Sequence, residues 1–358
     1  MEYWIWLSRL KGVGPVIQKR LLERFCNPES VFNADRCSLL KVEGIGESTA
    51  DNIVSSKNLD DSMRILDKLY KIDGRVLTIN DELYPKGAAS MIYSPLVLYY
   101  KGDIKSNLDG IGIVGSRRCS QYGKRVALQA GQWFGKYGYA VISGMAKGID
   151  GYAHTGCLKA SGYTIAFLGT GIDICYPKEH IGLMKRIIEN GAVVSEYPPG
   201  TNGRPEFFPR RNYHISSWSK KLLVVEASEK SGALITADIA KRQGCDVFAA
   251  PSQIYTKTGF GTNMLIKNGA KLYTGPKFIS DSDKKISSEQ LKKKIGTEEK
   301  KDITEIERKI LDIIGDSKLV VNEISKLVEI NQVELLQHLA ELELKGFLNC
   351  ISGRYECA

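Results

Sequence analysis

The sequence predicts an α/β protein whose centre is a parallel sheet covered by helices on both faces. A small helical domain precedes this centre and a second small domain follows it. Three observations carry the prediction. Six short apolar runs alternate with helical stretches between residues 76 and 280. Paired Gly-x-Gly turns open amphipathic helices before that region, and a polar stretch at 281–302 separates off a helix-rich tail.

The N-terminal segment, 1–75, repeats one unit. LKGVGPVIQKRLLERF at 10–25 and VEGIGESTADNIV at 42–54 each set an apolar-Gly-apolar-Gly turn before a helix. Such a turn points backbone N–H groups outward from a helix N-terminus. The pattern is that of a helix-hairpin-helix (SAM-like) domain. With 12 Lys/Arg against 11 Asp/Glu, this segment is nearly neutral, which favours a packing role over a grip on phosphate.

The central region, 76–280, supplies the strands: IGIVG (111–115), YAVISG (139–144), YTIAFLG (163–169), AVVSEY (192–197), KLLVVEA (221–227) and DVFAAP (246–251). Nearly continuous apolar strands joined by helices indicate parallel pairing with both faces buried. Ligands in such folds sit beyond the carboxyl ends of the strands. This region also holds 25 Lys/Arg against 14 Asp/Glu, so the chain's net charge of +9 originates here. A basic middle points to an anionic partner, nucleic acid foremost.

Residues 281–302 read as a linker. Beyond them, 303–358 show three short helices and then FLNCISGRYEC, a hairpin turning on Ser352-Gly353. This is a winged-helix outline. Its third helix exposes Glu334, Glu341 and Glu343, and the segment carries 6 Lys/Arg against 10 Asp/Glu. That charge favours contact with protein over a DNA groove.

The bulk features restrict the function classes. At 43% hydrophobic and 25% charged, the composition is that of an ordinary water-soluble protein, and no apolar run is long enough for a membrane span. The start, MEYWIWLSRLKGVG, lacks a secretory cleavage pattern, and the eight cysteines show no metal spacing. A cytoplasmic protein without membrane insertion, metal or cofactor is expected.

Gly110 to Gly115 spell G-x-G-x-x-G, the dinucleotide fingerprint, but Ile111, Ile113 and Val114 lie between the glycines, inside the strand. The acidic residue needed about 20 positions on is replaced by Trp133-Phe134-Gly135-Lys136. Neither Gly-Lys pair is followed by Ser or Thr, so a Walker A loop is absent too. What stands at the strand end is Gly115-Ser116-Arg117, suited to a phosphate oxygen.

Four further segments repeat that chemistry. SGMAKGID brings Ser143, Gly144, Lys147 and Gly148; LGTGID brings Thr170 and Gly171; FFPRRNYHIS brings Arg210, Arg211 and Asn212; SEKSGALITA brings Lys230, Ser231 and Gly232. Together they describe an extended anion pocket. Phe207, Phe208, Tyr213 and Trp218 stand among these basic residues as candidates for stacking on unpaired bases. Asp150 and His154 share one helical face and read as a helix-starting Asp and a hydrogen-bonded His.

These segments together resemble the DNA-processing protein A (DprA, or Smf) family. The matching words are GSR at 115–117, SGMAKGID…AH at 143–154, LGTGID…YP at 168–177, SEYPPGT at 195–201, FPxRN at 208–212, SGALITA at 231–237 and GTNxLI…GA at 261–270. The resemblance implies an extended Rossmann-like core and a non-enzymatic, dimeric protein. It further implies binding of single-stranded DNA in natural transformation and loading of the RecA recombinase. It places Arg117, Lys147, Arg211 and Asn212 in the DNA pocket. Four positions depart from the family pattern: Tyr213 replaces an Arg, Ser217 and Ser252 replace glycines, and Trp218 replaces a Leu. Two alternatives stand beside this reading. One is a nucleotide-hydrolysing enzyme of the phosphoribohydrolase type, although SEKSGALITA lacks its acidic residue; the other is a protein-bridging member with weakened DNA binding.

Overall fold

The structure, a computed structural model, describes residues 1–106, 109–281, 303–315, 317–328, 330–344, 347–351 and 354–357. The expected linker at 281–302, apart from its first residue, and the expected Ser352-Gly353 turn lie outside the described residues. Contacts divide the chain into two units, Met1–Ser282 and Asp283–Ala358. No helix among the described residues is long and apolar enough to cross a membrane.

The first unit is built on a nine-stranded sheet: β1 (Arg75–Thr78), β2 (Val97–Gly102), β3 (Gly110–Val114), β4 (Ala140–Ser143), β5 (Thr164–Phe167), β6 (Gly191–Ser195), β7 (Lys221–Val224), β8 (Asp246–Ala249) and β9 (Lys271–Leu272). Their spatial order is β1-β2-β6-β5-β4-β3-β7-β8-β9. From β6 through β9 every pair is parallel. The sheet is nevertheless mixed, because β2 runs antiparallel to β6 and β1 antiparallel to β2. The six apolar runs therefore mark β3 to β8, whereas β1 and β2 are separated only by the four-residue helix Lys86–Ala89, too short to continue the repeating pattern.

Every residue of β3 is buried, as are those of β4 to β7, which is why these strands are apolar without alternation. The chain leaves β3 in one direction to build β4, β5 and β6, and returns to the opposite side to add β7. The β3/β7 boundary is thus a topological switch point, where a crevice opens beyond the strand ends.

The N-terminal helices belong to the same unit. In each Gly-x-Gly turn the first glycine has positive φ (Gly12, +79°; Gly44, +86°) and the second caps the next helix, Pro15–Phe25 or Glu47–Ser55. Buried Gln18 fixes the first turn by donating from Nε2 to the carbonyls of Leu7 and Val13, at 3.1 and 2.8 Å. Ile5, Leu7, Leu21, Leu39 and Ile53 share one apolar cluster with Leu96, Tyr99 and Ile172, so helices and sheet are packed as one body.

The second unit holds the helices Glu305–Ile314, Val321–Val328 and Gln332–Leu344. Beside them is an antiparallel sheet ordered β10 (Leu319–Val320), β12 (Arg354–Cys357), β11 (Leu348–Ile351). A Thr304/Glu307 capping box starts its first helix, and Ile310, Ile314, Ile324, Leu335 and Leu339 form its core.

Candidate nucleic-acid interface

A cleft of ≈ 650 Å³ opens at the β3/β7 switch point. Its floor is Gly115, Ser116 and Arg117, the turn that leaves β3. Ser116 is fixed through its backbone: its N–H donates to the Glu226 carbonyl at 2.8 Å, and its own carbonyl accepts from Ile149 N–H at 3.2 Å. The Ser116 hydroxyl accepts from Arg118 N–H at 3.1 Å, tightening the turn that presents both arginines to solvent.

Behind this turn lies Gly148, with φ +77° and ψ −129°. A Cβ built there would overlap the Ser116 carbonyl oxygen and lie 2.8 Å from that of Arg117. Close approach of the two loops therefore requires glycine.

The helix Phe207–Ser217 supplies the opposite wall. Helical spacing divides its aromatic and basic residues between two faces. Phe208, Arg211 and Asn212, at i, i+3 and i+4, face the cleft. Phe207, Arg210 and His214, at i, i+3 and i+7, turn away. Arg211 is buried, 4% exposed, and its Nη1 donates to the carbonyls of Gly144 and Phe167 at the ends of β4 and β5. A Cβ on Gly144 would occupy the guanidinium's place.

Buried Asp150 stands beneath this arrangement, accepting from Gly144 N–H at 3.2 Å. Burial raises the Asp150 pKa, and the Arg211 charge offsets part of that shift. Burial likewise lowers the Arg211 pKa; Asp150 offsets this, while the neighbouring positive charge of Arg117 adds to it. Two guanidiniums therefore converge with one buried carboxylate between them and the fold. The Phe208 ring lies near both, 5.4 Å from Arg117 and 5.9 Å from Arg211. Positive groups around an accessible ring can hold a phosphate and stack a base.

Ser231 and Gly232 line the third side, where Ser231 caps the helix Gly232–Arg242 by accepting from Ala233 N–H at 3.3 Å. The structure thus brings together Gly115, Ser116, Arg117, Phe208, Arg211, Asn212, Ser231 and Gly232. Lys147 is exposed beside the site and ion-paired with Glu179. Lys230 stands in an adjoining hollow.

Other expected contacts are turned elsewhere. The Ser143 hydroxyl is buried and donates to the Ile113 carbonyl at 2.5 Å, and that of Thr170 donates to Ile174 at 2.7 Å. Gly171 N–H donates to the Thr201 carbonyl, so both residues of that loop shape its interior. Arg210 pairs with Glu196 at 2.7 Å on the wall of a separate cleft. Among the stacking candidates, Phe207 stacks on Tyr197 with centroids 4.0 Å apart, and Tyr213 packs edge-on against Tyr93. Trp218 is core, 3% exposed against Tyr84 and Phe167. Phe208 alone of the four lines the cleft.

His154 also takes its expected bond, Nδ1 to the Thr164 hydroxyl at 2.7 Å. Burial first, and then the charges of Arg211 and His180, push its pKa down to about 3, so it is neutral at ordinary pH. Sequence reasoning passed over Arg118, Lys257 and Thr258, which line the cleft. Arg118 was legible beside Arg117. Lys257 lies in the loop beyond β8, a strand end as informative as the others.

Comparison with known proteins gives the family. Residues 75–282 match the family model for DNA recombination-mediator protein A, and residues 7–56 match that for a SAM-like helix-hairpin-helix tandem. The chain belongs to the DNA recombination-mediator protein A family. Protein Smf of Synechocystis is 38% identical over 275 residues, which cover 75% of this chain and 69% of that protein. Among solved structures of the family, DNA processing protein A (DprA) from Streptococcus pneumoniae superposes with a TM-score of 0.69 at 30% identity. The match spans 79% of this chain and 98% of that one. The DNA processing protein A from Helicobacter pylori, solved to describe its single-stranded DNA binding mode, gives a TM-score of 0.52 at 26% identity. That match covers 57% of this chain and 93% of the other.

Proposed function

We propose that this member of the DNA recombination-mediator protein A family binds single-stranded DNA in the β3/β7 cleft, by contact and without chemistry on the strand. The observation that carries this reading is the convergence of Arg117 and Arg211 on the Phe208 ring at the switch point. Phosphates pair with the Arg117 and Lys257 side chains and the Ser231-Gly232 helix start, while a base stacks on Phe208. The single-stranded DNA binding mode described for the Helicobacter pylori relative supports this choice of ligand.

Within that reading the protein acts in the cytoplasm as a homodimer. It protects incoming single-stranded DNA during natural transformation and recombination and hands it to the RecA recombinase. The acidic C-terminal segment serves protein contact. A phosphoribohydrolase-type reaction is disfavoured because the segment SEKSGALITA, whose Ser231, Gly232 and Thr236 line the cleft, ends in Thr236-Ala237 where that chemistry needs an acid.

Fluorescence anisotropy with an oligothymidylate tests the assignment. Wild type should bind with affinity that falls steeply with salt. Arg117→Ala should bind more weakly, with the log–log salt slope reduced by about 0.7, the share of one phosphate contact on a single strand. An Arg117→Ala protein that binds as tightly as wild type, with the same slope, overturns it.

A further inference from the structure

The loop beyond β8 forms a second hollow, ≈ 480 Å³, beside the cleft. Ile254, Tyr255 and Phe260 wall it, with Lys230 and Lys257 at its rim. Tyr255 is 94% exposed, Ile254 75% and Phe260 45%. Large apolar side chains clustered in water mark a contact surface. The hollow is continuous with the cleft, since Ser228 and Lys257 line both. Glu229 is the one acid of its lining, against two lysines, so the rim favours an anion.

The loop is held in place from below. Asn263, on the helix Phe260–Lys267, accepts from Ser252 N–H at 3.0 Å and donates to the Ser252 carbonyl at 2.9 Å. The Ser252 hydroxyl bonds that of Thr256 at 3.0 Å. Ser252, which stands where the resemblance leads one to expect glycine, thus ties down the loop that presents Tyr255.

Exposed rings beside lysines suit unpaired bases joined by phosphates. We propose that this hollow is a second stacking station for the same DNA strand. Tyr255 and Phe260 take a nucleotide adjacent to those held at Phe208, and Lys230 and Lys257 grip the intervening phosphate. This explains why Lys230 stands outside the main cleft. The assignment rests on the single-stranded DNA reading above.

Anisotropy with oligothymidylates of about four to twenty nucleotides, on wild type, Tyr255→Ala, Tyr255→Phe and Arg117→Ala, tests it. Tyr255→Ala should match wild type on the shortest oligonucleotides and bind the longest about five- to tenfold more weakly. Tyr255→Phe, which keeps the ring, should follow wild type throughout. A Tyr255→Ala protein equal to wild type at every length, or weakened equally at every length, overturns the second station. If Arg117→Ala alone is weakened, the cleft stands without it; if wild type binds no oligonucleotide, the underlying reading falls as well. Sedimentation of the free proteins closes the remaining route: a Tyr255→Ala change in mass assigns this face to a second copy of the chain and overturns the proposal.

Discussion

Replacing Gly148 by alanine should damage the cleft from behind without removing any group that lines it. The perturbation has two parts. At φ +77°, ψ −129° an L-residue is strained, by about 1–3 kcal/mol. The added Cβ also overlaps the Ser116 carbonyl oxygen and sits 2.8 Å from that of Arg117, both backbone atoms with little room to move. Overpacking of this kind costs about 1–3 kcal/mol. Together they predict that Gly148→Ala loses about 2–6 kcal/mol of folding stability, a large part of the roughly 5–15 kcal/mol that a folded domain has. The strain relaxes by pushing the Ser116–Arg117 turn outward, which separates Arg117 from Phe208. Gly232→Ala is the control. That glycine is exposed, a Cβ there meets nothing within 4 Å, and it opens a helix, so alanine should leave stability within about 0.5 kcal/mol or raise it slightly. Urea unfolding at pH 7 measures the first effect, and oligonucleotide anisotropy at a urea-free, folded concentration measures the second. A Gly148→Ala protein within 0.5 kcal/mol of wild type, binding DNA unchanged, refutes the close approach of these loops.

Two further outcomes follow from burial. Phe208→Ala should weaken single-stranded DNA binding about tenfold by loss of a stacking platform, whereas Trp218→Ala should destabilise the fold by about 3–5 kcal/mol; weakened binding with unchanged stability for Trp218→Ala contradicts its place in the core. His154 should make the protein acid-sensitive. Its folded pKa of about 3 lies below the unfolded value near 6.5, so the unfolded chain takes up a proton that the folded one refuses. That contribution is complete above pH 6.5 and is lost toward pH 3 at about 1.4 kcal/mol per pH unit. Urea midpoints measured from pH 7 to pH 4.5 should fall less steeply for His154→Asn, and an identical slope in both proteins refutes a neutral buried His154.

Much of the fold was legible because buried parallel strands must be apolar on both faces. β3 to β8 coincide with the six apolar runs, and Gly115-Ser116-Arg117 lies just beyond a strand end, where the fold class places ligands. Strands β1 and β2 were not read, since their antiparallel pairing, β1 on β2 and β2 on β6, depends on a long-range partner; the two-residue edge strand β9 was too short to read. In FFPRRNYHIS, one continuous basic and aromatic run, composition could not say which residues share a surface.

The sequence by itself determined the layer architecture, the basic centre and the loops that carry arginine, serine and glycine, because periodicity and charge are local properties. Only the tertiary structure decided which of those residues meet. Helical geometry in Phe207–Ser217 sent Phe208, Arg211 and Asn212 to the cleft and Phe207 and Arg210 away from it. Packing then put Trp218 in the core and left Tyr255 in solvent. A side chain's direction depends on the rotation of its element against neighbours distant in sequence, and no single stretch of the chain records that rotation.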